Sequence, residues 1–212
     1  MKPVLRSLGA AWALTAAVGW TAPDAATQIV AGARAELERR TAYDLTMGYH
    51  ATRFKNGIDT GHRVYPGGDI DPAIGVCADL PIRAFRQAGI DLQKLVHEDM
   101  ARAPVAYRVD PRRLDTNIDH RRVANLFVFL RRQARSLPTA TTAAAPADWQ
   151  PGDLVVWQLK GYGRTDHIGI ISDRRDPASG RPLVIHNFPT PGQVAEEDVL
   201  TRWRIAGHFR YP

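Results

Sequence analysis

Apolar residues recur at helical spacing in two stretches of the chain. Ile29, Ala33 and Leu37 are spaced four residues apart within 27–46, with charged residues between them. This spacing predicts an amphipathic helix. The apolar residues of 119–135 also fall on one helical face, so a second amphipathic helix is predicted there.

A further helix is predicted over 77–88, where Cys77 begins an apolar face. Pro81 has no amide hydrogen and is tolerated only in the first turn, so the helix has to begin at Cys77 or within the next two residues. Gly89 is typical of the position where a helix ends. A short helix is also predicted at 91–101. Cys77 is therefore expected at the N-terminus of a helix.

The pattern changes beyond residue 150, where short apolar runs alternate with turn residues. These runs predict four strands, at 153–157, 167–172, 182–187 and 204–210. Turn residues at 173–180 join the second strand to the third. Segments 48–76 and 136–148 are predicted as loops, the first with short extended pieces. Helices followed by an antiparallel meander indicate the α+β class.

The first 22 residues show the three-part pattern of a secretory signal peptide. Two basic residues precede an apolar run at 8–22, and small or polar residues follow it. This run is shorter than the roughly 20 residues that a spanning helix needs. We therefore predict that 1–22 is removed, that the mature protein has no transmembrane span and that it is exported to the periplasm or cell envelope. An uncleaved anchor is the alternative, and one domain is expected over 27–212.

Composition narrows the choice of partners and of chemistry. The formal net charge is +6 and the pI is 9.8, which suits a polyanionic environment such as the cell wall. No basic run is interleaved with aromatic residues, so nucleic-acid binding is not expected. The chain has one cysteine, which excludes an intramolecular disulfide. That cysteine is either a small buried core residue or a chemically used thiol.

Cys77 and two histidines form a candidate site for nucleophilic catalysis. A helix N-terminus stabilises an anion and is expected to lower the pKa of the Cys77 thiol. His167 opens one predicted strand and His186 lies near the end of the next, so an antiparallel hairpin brings them together. One imidazole can then accept the thiol proton while the other orients it.

The residues around these positions resemble those of NlpC-type cell-wall peptidases, which are papain-like cysteine hydrolases that cleave peptidoglycan stem peptides. The resemblance is carried by segments 65–68, 77–90, 151–157, 166–170 and 184–187. Segments 96–100 and 117–126 also resemble the YijF-like proteins, a bacterial family defined as a domain of unknown function.

The resemblance implies a papain-like α+β fold, with N-terminal helices packed on an antiparallel sheet and the catalytic cysteine at a helix N-terminus. It implies that Cys77 is the nucleophile, His167 the general base and His186 the third, orienting residue. Tyr65 lies twelve residues before Cys77, as a tyrosine beside the oxyanion does in that family. The backbone N–H of Cys77 is then the other oxyanion donor.

Three more residues are assigned to the oxyanion or the substrate: Asp79, Arg83 and Asn187. The resembling family has an acidic residue before its cysteine, whereas here Asp79 follows Cys77. Fastening a loop or pairing with Arg83 is the alternative for this carboxylate.

A second polar group lies in the long segment between the Cys77 helix and the strands. Its members are His97, Glu98, Asp99, Asp119 and His120. Their side chains suit zinc or manganese, which leaves a metal-dependent hydrolase as one alternative, but their spacing matches no common metal motif. A bracing network, with Arg121 or Arg122 paired to a carboxylate, is another alternative, and recognition of substrate carboxylates by arginine is a third.

We therefore predict a monomeric, exported cysteine peptidase or amidase that cleaves amide bonds in peptidoglycan stem peptides without a metal or other cofactor. A cell-wall-binding module on the same fold, without catalysis, is the alternative.

Overall fold

The computed structural model describes residues 24–45, 54–55, 58–59, 65–141, 148–159 and 165–212. Five α-helices lie in these ranges: α1 (Ala25–Arg39), α2 (Asp79–Gln87), α3 (Leu92–Arg102), α4 (Pro104–Tyr107) and α5 (Val123–Gln133). Two short 3-10 helices, Pro111–Arg113 and Asp119–Arg121, occupy the segment between α4 and α5.

The strands form one large sheet and one separate hairpin. The strands are β1 (Ala42–Tyr43), β2 (Phe54–Lys55), β3 (Ile58–Asp59), β4 (Ile74–Gly75), β5 (Arg135–Leu137), β6 (Leu154–Gln158), β7 (His167–Arg175), β8 (Pro182–Phe188), β9 (Gln193–Glu197) and β10 (Arg204–Arg210). The eight-stranded sheet has the order β4-β1-β9-β8-β7-β6-β10-β5, and β2 pairs with β3 alone. Only the short β1–β4 pair is parallel within this sheet.

The two faces of the sheet bury different residues, as alternation along a strand requires. One face packs its aliphatic side chains, including Val156, Ile168 and Ile185, against α2 and α5 in the main core. The opposite face buries Trp149, Trp157 and Val184 in a smaller cluster. Sheet residues next to one another in sequence therefore face different surroundings.

Helices α1 and α2 approach each other closely. A Cβ atom at Gly32 would lie 2.7 Å from the Cα of Ala84, so this crossing requires a residue without a side chain. Helix α1 begins after Asp24, whose carboxylate accepts a 2.7 Å hydrogen bond from the Thr27 N–H. It ends at Arg40, which has a left-handed backbone with φ of 59°. That conformation turns the chain into β1.

The α+β class is confirmed, and several boundaries differ from the sequence prediction. The helix predicted over 27–46 is wrong beyond Arg39, because Arg40 terminates it and β1 follows. The helix predicted over 119–135 is interrupted at Arg122, whose φ of −100° and ψ of 115° are extended. Strand β9 was not predicted, and β5 begins in what was predicted as the end of a helix and the start of a loop.

The predicted signal segment 1–22 lies outside the described residues. Across the described ranges, no helix has both the length and the apolar character needed to cross a membrane.

Candidate active site

The hairpin of β7 and β8 brings two imidazoles into contact. His167 opens β7 and His186 lies in β8, and their Nε2 and Nδ1 atoms are 2.9 Å apart. The predicted adjacency of these two histidines therefore holds in the structure. Their catalytic roles remain a prediction.

A carboxylate that the sequence analysis missed extends this pair. Glu197, in β9, places its Oε2 atom 3.0 Å from Nε2 of His186. An ionised carboxylate only accepts hydrogen bonds, so this nitrogen of a neutral His186 carries the proton. Its Nδ1 then accepts from the Nε2–H of His167, which leaves Nδ1 of His167 with a free lone pair. The chain of bonds thus selects the tautomer that a general base requires.

Aromatic rings enclose the two histidines and exclude water. The Trp157 ring stacks on His167 with ring centroids 5.3 Å apart, and the rings of Phe188 and Trp203 lie 5.0 and 5.4 Å away. This burial, together with the nearby His186, holds the pKa of His167 well below 6.5. Burial also lowers the pKa of His186, although Glu197 opposes the shift. Both imidazoles are therefore neutral near pH 7.

Cys77 lies in the turn between β4 and α2, and its surroundings fix that turn. The Val76 N–H donates a 2.7 Å hydrogen bond to Asp79 Oδ2, and Asn187 Nδ2 donates a 3.3 Å bond to the Gly75 carbonyl. Helix α2 begins at Asp79, two residues after Cys77. This start agrees with the predicted range.

The sulfur of Cys77 lies beside the backbone of the β7 strand. Its Sγ atom is 3.9 Å from the Asp166 carbonyl oxygen, and the Ile168 N–H is close enough to lower the thiol pKa. The peptide groups on both sides of His167 therefore contact the sulfur. Among the described residues, no hydrogen bond joins the thiol directly to either imidazole.

The expected effect of the helix N-terminus on the thiol is wrong for this resting geometry. Burial, followed by the charge of Asp79, raises the pKa of Cys77 to about 12. Nearby backbone N–H groups oppose this shift without overcoming it. The site therefore rests as a neutral thiol beside a neutral imidazole.

Asp79 forms a buried ion pair with Arg121. Arg121 donates from Nε to Oδ1 at 2.8 Å and from Nη2 to Oδ2 at 2.7 Å. Desolvation tends to raise the pKa of Asp79, but Arg121 and Arg83 hold it below 3.8. This carboxylate thus fastens the Cys77 turn and the inserted segment, which is the loop-fastening alternative.

Arg83 is directed into the protein and not towards Cys77. Its side chain is 7% exposed and donates 2.6 Å and 3.0 Å bonds to Asp69 and Glu36. A third bond of 2.9 Å reaches the Ile74 carbonyl. The guanidinium therefore joins α1 to the loop that precedes Cys77.

A pocket of about 520 Å³ opens beside Cys77. Its walls come from β1, the Cys77 turn, the inserted segment and the residues before His167. The lining residues are Tyr43, Leu45, Val76, Cys77, Tyr107, Val109, Arg121, Arg122, Val123, Ala124, Asn125, Thr165 and Asp166. The pocket can thus admit a substrate to the sulfur.

Tyr65 is not among the described residues that line this pocket. Its ring meets the ring of His97 edge-on, with centroids 5.2 Å apart. Two other tyrosines, Tyr43 and Tyr107, line the pocket instead, and the Tyr107 hydroxyl donates a 2.6 Å bond to Asp99. The oxyanion role of Tyr65 remains a prediction.

The family of the chain follows from comparison of its sequence. A family model described as a domain of unknown function, DUF1287, matches residues 30–211. The chain belongs to the DUF1287 family. The protein YijF of Escherichia coli (strain K12) is 48% identical over 151 residues, which cover 69% of this chain and 69% of YijF.

Two solved structures are similar to this chain in backbone structure. Both are crystal structures of an N-acetylmuramoyl-L-alanine amidase from Bacteroides uniformis. One has a TM-score of 0.49 at 12% identity and covers 88% of this chain and 98% of its own. The other has a TM-score of 0.47 at 12% identity and covers 87% and 97%. Likeness at this level is no guide to activity.

The second polar group of the DUF1287 chain is divided among separate contacts. Asp119 Oδ2 lies 3.5 Å from His97 Nδ1, Asp99 binds Arg132 and Tyr107, and Glu98 lies 3.8 Å from Lys94 Nζ. The contacts of Asp119 and Asp99 hold the neighbouring parts of the inserted segment to α3, whereas the contact of Glu98 with Lys94 lies within that helix.

His120 makes no hydrogen bond through its buried Nδ1, and burial lowers its pKa to about 3. Within the parts of the chain that are described, no three His, Cys, Asp or Glu side chains converge as metal ligands. The pairings of Asp99 and Asp119 with neighbouring side chains are those expected of the bracing network.

Proposed function

We propose that this DUF1287 protein is an exported cysteine hydrolase that cleaves amide bonds in peptidoglycan stem peptides. One observation carries the proposal: the hydrogen bonds from Glu197 through His186 end at His167, the residue whose flanking backbone contacts the Cys77 sulfur. That arrangement has the nucleophile, base and orienting groups of a thiol hydrolase. A papain-like fold, export through 1–22 and a monomeric state belong to the same proposal.

The first half of the reaction forms a thioester. The Cys77 sulfur attacks the amide carbonyl as Nδ1 of His167 takes the thiol proton. His167 then gives this proton to the leaving amine as the carbon–nitrogen bond breaks. The Cys77 backbone N–H, with Tyr65 as the second predicted donor, stabilises the oxyanion.

The second half regenerates the enzyme. His167 accepts a proton from water while the water oxygen attacks the thioester carbonyl, and the proton returns to the sulfur as the acid leaves. His186 and Glu197 act through His167, since they hold its tautomer and stabilise its positive charge while it carries the extra proton.

Asp79, Arg83 and Asn187 affect this chemistry indirectly, because they hold the backbone that precedes and positions Cys77. Asp79 and Asn187 bond the backbone just before Cys77, and Arg83 bonds the loop that precedes it. We therefore assign to these three residues the placement of the sulfur, in preference to contact with substrate.

A cell-wall-binding module is the second candidate. It is favoured by the raised pKa of the Cys77 thiol and by the lack, among the described residues, of a hydrogen bond from that thiol to an imidazole. Such a module would bind muropeptides and leave them intact. Digestion experiments therefore separate the two candidates.

The direct test is incubation of the folded protein with purified muropeptides, followed by mass spectrometry of the products. We expect new amine and carboxyl termini within the stem peptide. This activity should persist in the presence of a chelator and disappear after prolonged alkylation with iodoacetamide. Binding without any new product would instead support the wall-binding module, and loss of activity with chelator would support the metal-dependent alternative.

Replacing Glu197 with Gln should lower kcat roughly 10- to 100-fold, less than the roughly 10²- to 10⁴-fold that a direct acid–base group contributes, because Glu197 acts through His186. The charge of Glu197 raises the pKa of His186, so its removal lowers that pKa. We therefore expect any acidic limb of the pH–kcat profile to move to lower pH. The measurement is kcat against pH for the wild-type and variant proteins.

Glu196→Gln is the matched control for this change. Glu196 precedes Glu197 in β9, and its carboxylate binds Arg34 and Arg174 instead of a histidine. If this control has an effect, we expect it on stability alone. Its pH–kcat profile should match that of the wild-type protein. An unchanged profile in Glu197→Gln as well would mean that Glu197 has no positioning role.

A further inference from the structure

The side chain of Arg122 differs from that of its neighbour Arg121 in having no partner among the described residues. Arg121 is buried in its ion pair with Asp79, whereas Arg122 is exposed. Within the ranges that the structure describes, no hydrogen bond, ion pair or ring contact engages the Arg122 guanidinium. Its extended backbone marks the break between the Asp119–Arg121 turn and α5, and this break places the residue on the pocket wall.

Arg122 lines two adjoining cavities. It borders the pocket of about 520 Å³ that contains Cys77 and a second cavity of about 390 Å³. The cavities share Val109, Arg122 and Asn125, so together they form a groove that leads away from the sulfur. Arg122 lies at the junction of the two cavities.

Among the arginines along this groove, Arg108, Arg113 and Arg122 form no ion pair within the described parts of the chain, whereas Arg121 is paired with Asp79. The second cavity adds Arg108 and Arg113, which are exposed and whose guanidinium groups make no hydrogen bond or ion pair among the described residues. Of the acidic residues, Asp110 pairs with Arg112, which is outside the lining. Asp119 accepts a 2.8 Å bond from the Asp115 N–H, and the Asp115 carboxylate accepts a 2.8 Å bond from the Asn117 N–H.

The carboxylate in the first cavity is also engaged. Asp166 accepts a 2.8 Å bond from the Leu159 N–H. Helix α5 also begins at this wall without a side-chain cap, which adds a weaker attraction for negative charge.

We propose that Arg122 binds a free carboxylate of the substrate, and that the protein therefore selects amides with an acidic group near the scissile bond. This inference rests on the proposed function and specifies its substrate class. A guanidinium presents two parallel N–H donors that match a planar carboxylate. Peptidoglycan stem peptides carry such carboxylates, whereas their amidated forms do not.

The test compares a disaccharide tetrapeptide with the same muropeptide after its carboxylates have been converted to amides. The wild-type protein should cleave the free acid about 10- to 100-fold better in kcat/KM, in line with a hydrogen bond to a charged group. Arg122→Gln should lose most of that preference through a higher KM for the acid. Arg122→Lys, which keeps the charge without the paired donors, should retain part of it.

Arg131→Gln is the matched control, because it removes the same charge from α5, the helix that begins directly after Arg122, at a residue that lines neither cavity. It should keep the full preference for the acid. Undiminished preference in Arg122→Gln would overturn the inference.

Binding separates a failure of this inference from a failure of the proposed function. Calorimetry with the Cys77→Ala protein measures affinity for both muropeptides without turnover. Preferential binding of the acid that depends on Arg122, in a protein whose wild type cleaves nothing, would overturn the hydrolase and leave the carboxylate site standing. Equal affinity for both muropeptides would overturn the carboxylate site alone.

Discussion

Replacing Cys77 with Ala should lower kcat for muropeptide cleavage by at least about 10³-fold, the scale on which loss of a nucleophile acts. No other cysteine exists in the chain to substitute for it. The fold should survive, because the change removes one buried sulfur and costs roughly 1 kcal/mol of the free energy of unfolding. Product formation and urea unfolding are the two measurements.

Cys77→Ser is the matched control for this experiment, since it keeps the shape and a hydrogen-bonding group. A hydroxyl is a far weaker nucleophile here than a thiol, so this variant should also lose turnover. Both variants should still bind muropeptides. Turnover that persists in Cys77→Ala would exclude Cys77 as the nucleophile.

Replacing Asp79 with Ala should reduce the free energy of unfolding by about 3–5 kcal/mol, the usual cost of leaving one partner of a buried ion pair alone. The change removes the carboxylate that pairs with the Arg121 guanidinium, which is as buried as Asp79. It also removes the acceptor of the Val76 N–H. Denaturant unfolding followed by circular dichroism measures the loss.

Asp110→Ala serves as the control for this substitution. Asp110 also pairs with an arginine, Arg112, but that arginine is almost fully exposed, and exposed pairs contribute little. Replacing both Asp79 and Arg121 with Leu and Met should recover much of the loss, because no unpaired charge then remains. Equal effects of Asp79→Ala and Asp110→Ala would show that burial does not set the cost.

The hairpin that pairs the histidines could be predicted because its signals are local. Apolar runs and turn residues identify β7 and β8, and antiparallel pairing then places His167 beside His186. Glu197 could not be found in this way, because β9 has five residues and only one fully buried side chain. The one sequence signal for β9 is the alternation of apolar and polar residues in 193–197. This signal is too weak to distinguish a strand from a loop.

The pKa of Cys77 shows why electrostatics needed the tertiary structure. A helix N-terminus is visible in sequence and lowers a thiol pKa. Burial and the buried charge of Asp79 raise it, and Asp79 keeps this charge beside Arg121, which lies 42 residues after Asp79 along the chain. The pocket wall around Arg122 could not be predicted from local sequence patterns for the same reason, because it is formed by residues that are distant in sequence.

The position of β10 has a consequence for the order in which the protein is built. This last strand lies between β6 and β5, and of the strands described, β5 pairs only with it. During synthesis the sheet therefore stays open along β6 until residues near 210 have emerged. A chain shortened before β10 would expose the backbone of a hydrophobic strand, and such an edge recruits other chains into aggregates.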